Sequence, residues 1–474
     1  MLVAPARAAG HPAQTFATAG ARATTTLLNV WYAGNGLWHT CNAPDCATGN
    51  RDWGLDSLTY TLALRYRATH DQSLLVPLRA LEQTAPTYPA PCTDASACGS
   101  WSDVPMWDAI ALLDEYDITG DAVALRKAEA AFAFVDRSSV YALGACSRIP
   151  YQQPGGGANG LKTLETEANY TKAALLLYRA AHDQTNLTAA ENAYDATRTY
   201  FLDPSVPLYS VWVFDDGTTC TQLPHRFFAS VNGDMIWSGL TLYRDTGRRA
   251  YLDQAIATAR AVTRDLGDPR AIFADLQAEN DVVEPLIEGM DALAADGQTF
   301  ARTWILRNAA AALSARAPDG SFGRFFDGPP PATTATAWQT NGGLALEIAA
   351  ASLAPRESPN IANAWAHGRK VQDDISTLPA TITFHGSGIA LYGTLGEQCC
   401  ESGHARVFVD GRETFDGTGI WQNKSSSGRT IPNTLLFAWR WPRSGTHTIS
   451  FQPGVVNGKE GGPFFDLTSY KVLR

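Results

Sequence analysis

The feature that most constrains the fold is a helix ending that recurs along the first half of the chain: LALRYRATHD at Tyr66, LLDEYDITGD at Tyr116, LLLYRAAHD at Tyr178 and LTLYRDTGR at Tyr243. These tyrosines lie 50, 62 and 65 residues apart, and each turn leads into a second amphipathic segment such as AVALRKAEAAFAFV or AYLDQAIATARAV. That is the pattern of helical hairpins. Thr-Gly-Asp and Thr-His-Asp at the turns suit a helix C-cap followed by the next N-cap. Further helical patterns run near Thr24 to Tyr32, Val282 to Ala317 and Ala335 to Ser352, bringing the total to roughly a dozen helices. A hairpin cannot bury its apolar face alone, and about six of them predict an (α/α)6 toroid over residues 26–355, with an open solenoid as the alternative. The Gly/Pro/Trp-rich connections CGSWSDVP, IPYQQPGGGANG and FFDGPPPATT are expected to gather at one end of the ring as a cleft.

After Pro355 the period changes to two. ATITFHGSGIALYG, HARVFVDGRETF, NTLLFAWRW, GTHTISFQPG and FFDLTSYKVL alternate and are separated by turn signals such as Asp410-Gly411 and Ser444-Gly445. A small all-β sandwich over 366–474 follows, joined by a linker at 356–365, and two domains fit the 474-residue length. Residues 1–25 begin MLVAPARAAG without an apolar run of full length and are read as a leader or export-signal remnant. The eight cysteines include Cys41 with Cys46 and Cys92 with Cys98, each closing a short loop, then the isolated Cys146 and Cys220, expected to pair, and the adjacent Cys399 and Cys400. An even, loop-placed set points to an oxidising compartment, secreted or periplasmic. His39 near Cys41 is a poor start for a zinc site, so no metal is expected.

A net charge of -10 with 18% charged residues offers no basic field for nucleic acid. No apolar run reaches the ~18 residues of a membrane span, and a soluble monomer is expected. Neither HExxH nor GxSxG occurs, no GxGxxG follows a strand, and GGGANGLKT departs from a phosphate loop because Leu161 separates Gly160 from Lys162. What remains is carboxylates, together with thirteen Trp and sixteen Tyr whose faces could meet sugar rings. Glycosidic hydrolysis needs two carboxyl groups, one to protonate the leaving oxygen and one to attack or to activate water. Candidates in loop-to-helix contexts are Asp103 and Asp108 in WSDVPMWD, Glu165 and Glu167 in KTLETEAN, Asp234 in SVNGD, and Glu279 with Asp281 in QAEND. For Asp103 the competing reading is a helix N-cap, since Ser102-Asp103 precedes Pro105.

The segments WYAGNGLWHT, WSDVPMWDAIALLDEYDITGD, KTLETEANYTKAALLLYRAAHD, SVNGDMIWSGLTLYRDTG and WQTNGG, in this order, resemble glycoside hydrolase family 76. The resemblance covers about Thr24 to Pro355. It implies an (α/α)6 enzyme of the α-1,6-mannanase kind, acting on a polysaccharide or oligosaccharide without a cofactor. It places Asp103 on the first of the family's two adjacent aspartates and Val104 on the second, so a proton donor has left its usual place. Glu167 stands where the family carries Asn, and Glu167, Glu165 or Glu279 would supply the missing proton. Trp53, Trp101, Trp107, Asn169, Asn232, Asp234 and Asp281 are the expected substrate contacts. The C-terminal strands resemble galactose-binding-like modules, with Trp421, Gln422, Asn423 and Lys424 as candidate contacts. Two other functions stay open: a catalytically silent glycan-binding protein on the same scaffold, and a lyase or epimerase, for which His225-Arg226 is the local candidate.

Overall fold

The computed structural model describes residues 15–39, 48–49, 53–88, 101–137, 144–146, 160–223, 225–274, 282–318, 320–330, 337–356, 363–395, 404–414, 420–421, 430–456, 459–460 and 464–474. Its helices are α1 (Phe16–Val30), α2 (Trp53–Thr69), α3 (Leu75–Arg79), α4 (Leu81–Thr84), α5 (Val104–Thr119), α6 (Ala122–Asp136), α7 (Leu164–Ala181), α8 (Gln184–Tyr200), α9 (Ala229–Thr246), α10 (Arg249–Asp265), α11 (Glu284–Ala295), α12 (Thr299–Ser314) and α13 (Ala337–Leu353).

The recurring helix ending has one geometry. His70, Gly120, His182 and Gly247 each take the left-handed conformation, and each donates its backbone N–H to the carbonyl of Tyr66, Tyr116, Tyr178 or Tyr243 at 2.6–2.8 Å. The following aspartates, Asp71, Asp121 and Asp183, then cap the next helix through Ser73, Val123 and Thr185 backbone N–H groups. C-cap and N-cap are thus adjacent residues, which turns the chain back in the fewest steps.

Alternate helices build two layers. α2, α5, α7, α9, α11 and α13 pack each against the next, and α13 closes onto α2 to complete an inner ring. Outside it, α6, α8 and α10 lie against α5, α7 and α9, α12 lies against α11 and α13, and the short α3 and α4 share the remaining place beside α5. The last outer position belongs to α1, which packs on α13. Residues 16–25, expected within a leader, are the first turns of this helix, and Phe16, Ala19 and Ala23 are buried there. The inner ring is tight enough to require glycine where α9 meets α11: a Cβ on Gly233 would sit 2.2 Å from the Leu286 backbone nitrogen.

Short strands decorate the ring: β1 (Tyr32–Gly34), β2 (Leu37–His39) and β3 (Thr48–Gly49) in one sheet, and β4 (Leu161–Thr163), β5 (Trp212–Asp215) and β6 (Cys220–Gln222) in another. The C-terminal unit contains β7 (Arg369–Thr377), β8 (Ala380–Leu395), β9 (His404–Val409), β10 (Arg412–Glu413), β11 (Ile420–Trp421), β12 (Ile431–Pro453), β13 (Val455–Val456), β14 (Lys459–Glu460) and β15 (Phe464–Leu473). The expected small all-β unit is built from one antiparallel sheet of order β10-β9-β12-β8-β15-β7, with β11 on β9. β12 and β8 run through its whole width, and their register breaks between Arg440 and Gly445. Apolar side chains from both sides of that break, Ile389, Leu391 and Phe437 with Ile382, Ile449 and Phe451, fill one core. Of the proposed loop contacts there, Gln422, Asn423 and Lys424 and the side chain of Trp421 lie outside the described residues.

Candidate active site

The N-terminal ends of α5 and α7 stand side by side. They are pinned by a buried hydrogen bond between the hydroxyls of Ser102 and Thr166, 2.7 Å apart. These two residues immediately precede Asp103 and Glu167, so the pin sets the carboxyl-bearing positions on neighbouring helix starts.

Asp103 does not act as a cap. It has helical φ and ψ angles and makes no capping bond from its side chain, and its buried Oδ1 has no hydrogen-bond partner among the described residues. Burial pushes its carboxyl up to about 6, because taking an anion out of water disfavours the ionised form. Glu167 is 2% exposed. Burial pushes its carboxyl up to about 8, against the opposing pull of the Lys162 ammonium. The capping of α7 is done four positions earlier: Thr163 accepts from the Glu165 backbone N–H at 3.1 Å and donates to the Glu165 carboxylate at 3.1 Å. Glu165 is therefore bound into the helix start, and Glu167 is left to face inward.

Behind Glu167 lies a rigid support. Lys162 on β4 is fully buried and paired with Asp215 on β5 at 2.9 Å, and its ammonium also donates to the Cys146 carbonyl at 3.2 Å. Asp215 accepts from the backbone N–H groups of Ala145, Cys146 and Gly217, which hold its carboxyl well below the usual carboxylate range. The expected disulfide between Cys146 and Cys220 is formed, with Cα atoms 5.1 Å apart. It ties the loop that supplies these donors to the strand next to Asp215. Cys41, Cys46, Cys92, Cys98, Cys399 and Cys400 lie outside the described residues.

The other expected contacts divide. Trp101 is 46% exposed and sits two residues from Asp103, where an aromatic face can meet a ligand. Trp107 is buried in the toroid core and packs there. Asn169 is wholly buried on α7, and neither polar atom of its amide has a hydrogen-bond partner among the described residues. Asn232 is not brought to the site. Its amide is occupied by the Tyr209 backbone at 2.9 and 3.1 Å and by the Phe228 carbonyl at 2.9 Å, so it latches the loop before α9. Asp108 is engaged by the Tyr88 hydroxyl. Trp53 opens α2, but its side chain lies outside the described residues, as do Glu279 and Asp281.

Asp234 is fully buried further along the ring axis, where Lys172 reaches it at 2.9 Å and Glu288 at 2.5 Å. Burial raises Glu288 to about 7 although Lys172 opposes it, while the two carboxyl groups hold the Lys172 ammonium above its ordinary value after overcoming its own desolvation. Sequence reading missed Lys172 and Glu288. The only available signal was a charge beside the apolar runs Ala173 to Leu177 on α7 and Pro285 to Ile287 on α11.

No family model matches the sequence, and no curated protein does. Solved structures resemble it in fold. An inactive variant of the family 76 α-1,6-mannanase of Salegentibacter sp. HEL1_6, with two consecutive aspartates replaced and α-1,6-mannotetrose bound, has a TM-score of 0.61 at 20% identity, covering 71% of this chain and 99% of that chain. A family 76 α-mannanase of Bacteroides thetaiotaomicron gives 0.58 at 18% identity, over 71% and 95%. An unsaturated glucuronyl hydrolase specific for heparin gives 0.52 at 12% identity, over 71% and 97%. At these identities the likeness establishes the (α/α)6 toroid.

Proposed function

We propose that this (α/α)6 chain is a glycoside hydrolase that cleaves a polysaccharide, with α-linked mannan the first candidate, using Asp103 and Glu167 as its two carboxyl groups. The observation that carries the reading is the pair itself: two buried carboxyls on adjacent helix starts, locked together by Ser102 and Thr166, with ionisation driven apart to about 6 and about 8. At neutral pH Asp103 is the anion and Glu167 the acid. That division of labour is what glycosidic cleavage requires: Glu167 protonates the leaving oxygen while Asp103 attacks the anomeric carbon or activates water. Val104, whose side chain transfers no proton, opens α5 beside Asp103, and Glu167 takes the acid role from the next inner helix. Trp101 offers the platform for a sugar ring. The chemistry asks for no cofactor or metal, and the disulfide behind Glu167 suits an enzyme working outside the reducing cytoplasm.

Resemblance of the toroid to α-1,6-mannanase structures supports the choice of substrate. Product release from α-1,6-mannan, other α-mannans, glucans and bacterial exopolysaccharides tests it. Wild-type protein should release oligosaccharides from at least one of these. Asp103→Asn and Glu167→Gln should each lower the rate by about 100-fold or more while leaving the circular dichroism spectrum unchanged. Saccharide binding without product in the wild type would assign the molecule to glycan recognition instead.

A further inference from the structure

All six inner helices point the same way, so the ring has two chemically different ends. Asp103 and Glu167 lie at the N-terminal end. α5 has 16 residues, so the opposite end is ~24 Å away at 1.5 Å per residue. A cavity of about 650 Å³ is found there, lined by α2, α5, α7, α9 and α11. This volume falls within the roughly 300–1,000 Å³ of small-molecule sites.

Its walls select a ligand class. Arg67 bridges Asp114 at 3.1 Å and Asp117 at 2.7 Å, and Glu288 is held by Lys172. Arg179 adds a further cation to the wall, so carboxyls and cations nearly balance and an ionic ligand of either sign finds little net field and would have to displace a group already bridged. An apolar ligand would strip water from the guanidinium and carboxylates and return no hydrogen bonds. A neutral molecule dense in hydroxyls suits both constraints, because each hydroxyl donates and accepts. The location adds acceptors, since a helix C-terminus leaves its last carbonyls without helical partners and in α2, α5 and α7 the C-cap residues take up those of Tyr66, Tyr116 and Tyr178. Trp237 supplies an apolar wall, braced by the Lys172 ammonium 5.7 Å from its ring centroid. Arg67 and Asp117 have side chains 40% and 61% exposed, so the cavity reaches solvent.

We infer that this cavity is a second saccharide-binding site, in which Arg67, Asp114, Asp117, Arg179 and Trp237 receive the neutral end of a glycan chain. The inference rests on the glycan-processing reading above, and it makes the molecule bivalent for one long polysaccharide or for two strands. A site at the far end would raise the effective concentration of polymer near the catalytic end and do nothing for a short substrate.

Calorimetric titration with α-1,6-mannotriose, maltotriose and cellotriose tests it on wild-type protein, on Trp101→Ala and on two far-end variants. Leu176→Trp fills the cavity, and Arg179→Ala removes an exposed wall residue without crowding the core. At least one trisaccharide should bind wild type at two sites per chain. Leu176→Trp and Arg179→Ala should remove or weaken one site by about tenfold or more, and Trp101→Ala the other. Trisaccharide hydrolysis should be unchanged in both far-end variants, while KM for the polymer rises. Two-site binding without any hydrolysis would sink the enzymatic reading and leave this inference standing. A single site per chain, or a second site indifferent to both far-end variants, would overturn the inference alone. No binding of any trisaccharide overturns the inference and leaves the enzymatic reading to the product-release test on polymers.

Discussion

Burial raises Asp103 to about 6 and Glu167 to about 8, and the proposed cleavage requires the first ionised and the second protonated. The pH profile on polysaccharide should therefore be bell-shaped, rising through about 6 and falling through about 8. Glu167→Gln should abolish the falling limb along with most of the rate. The same burial has a consequence for stability. A carboxyl whose folded value is raised from 4.5 to about 8 costs nothing below pH 4.5, where both folded and unfolded chains are protonated. Between those values the unfolded chain ionises and the folded one does not, so stability falls as pH rises and levels off above about 8. Glu167→Gln removes that loss. Thermal melts should show the variant above wild type by a margin that widens from pH 5 to pH 8, on the order of a few degrees. Equal melting curves across that range would place Glu167 in a wetter site than its burial indicates. Whether Asp103 caps its helix could not be read from sequence, because both readings need the same Ser-Asp-x-Pro letters and differ only in the backbone angles of one residue.

At the scale of elements, β4 is three residues long, yet it delivers Lys162 to a fully buried pair with Asp215 and leads directly into α7. Lys162→Met should cost about 3–5 kcal/mol in urea unfolding, because it strands a buried carboxylate. An effect under 1 kcal/mol would mean that the backbone donors around Asp215 suffice. The helical hairpins were legible because their signals are local: a left-handed Gly or His, then an aspartate cap, within five residues of a tyrosine. Ring closure followed from counting them. The start of α1 was not legible, since Ala19, Gly20 and Ala23, read as part of an export leader, are the small residues that let α1 lie close on α13, where a Gly20 Cβ would stand 3.1 Å from the Glu347 carbonyl. Asn232 looked like a ligand-binding letter, but its amide is spent on the Tyr209 and Phe228 backbone. The Lys172, Asp234 and Glu288 cluster joins three helices far apart in sequence, and no local pattern announces such a meeting.

Across the whole molecule, the ring and the sheet share a charged joint. Asp327, between α12 and α13, accepts from Arg270 of the ring and from Arg440 of β12, the latter at 2.7 Å, and its carbonyl receives the Trp365 indole N–H at 2.7 Å. Arg324 reaches the Leu436 carbonyl at 2.6 Å, and Phe325 inserts into the core of the sheet. Asp327→Ala leaves two guanidiniums facing one another. Calorimetry should show one unfolding transition for the wild type and two for the variant, whereas an unsplit transition at an unchanged temperature in the variant would show that Phe325 and Trp365 hold the joint unaided. The closure of the ring carries a further consequence, for biosynthesis. α1 leaves the ribosome before the other helices of the ring, and α13, the surface it covers, is the last of them. At roughly 5–20 residues per second, α1 waits tens of seconds with Phe16 and Leu27 uncovered. The nascent chain accordingly depends on whatever shields that one helix until its partner is made.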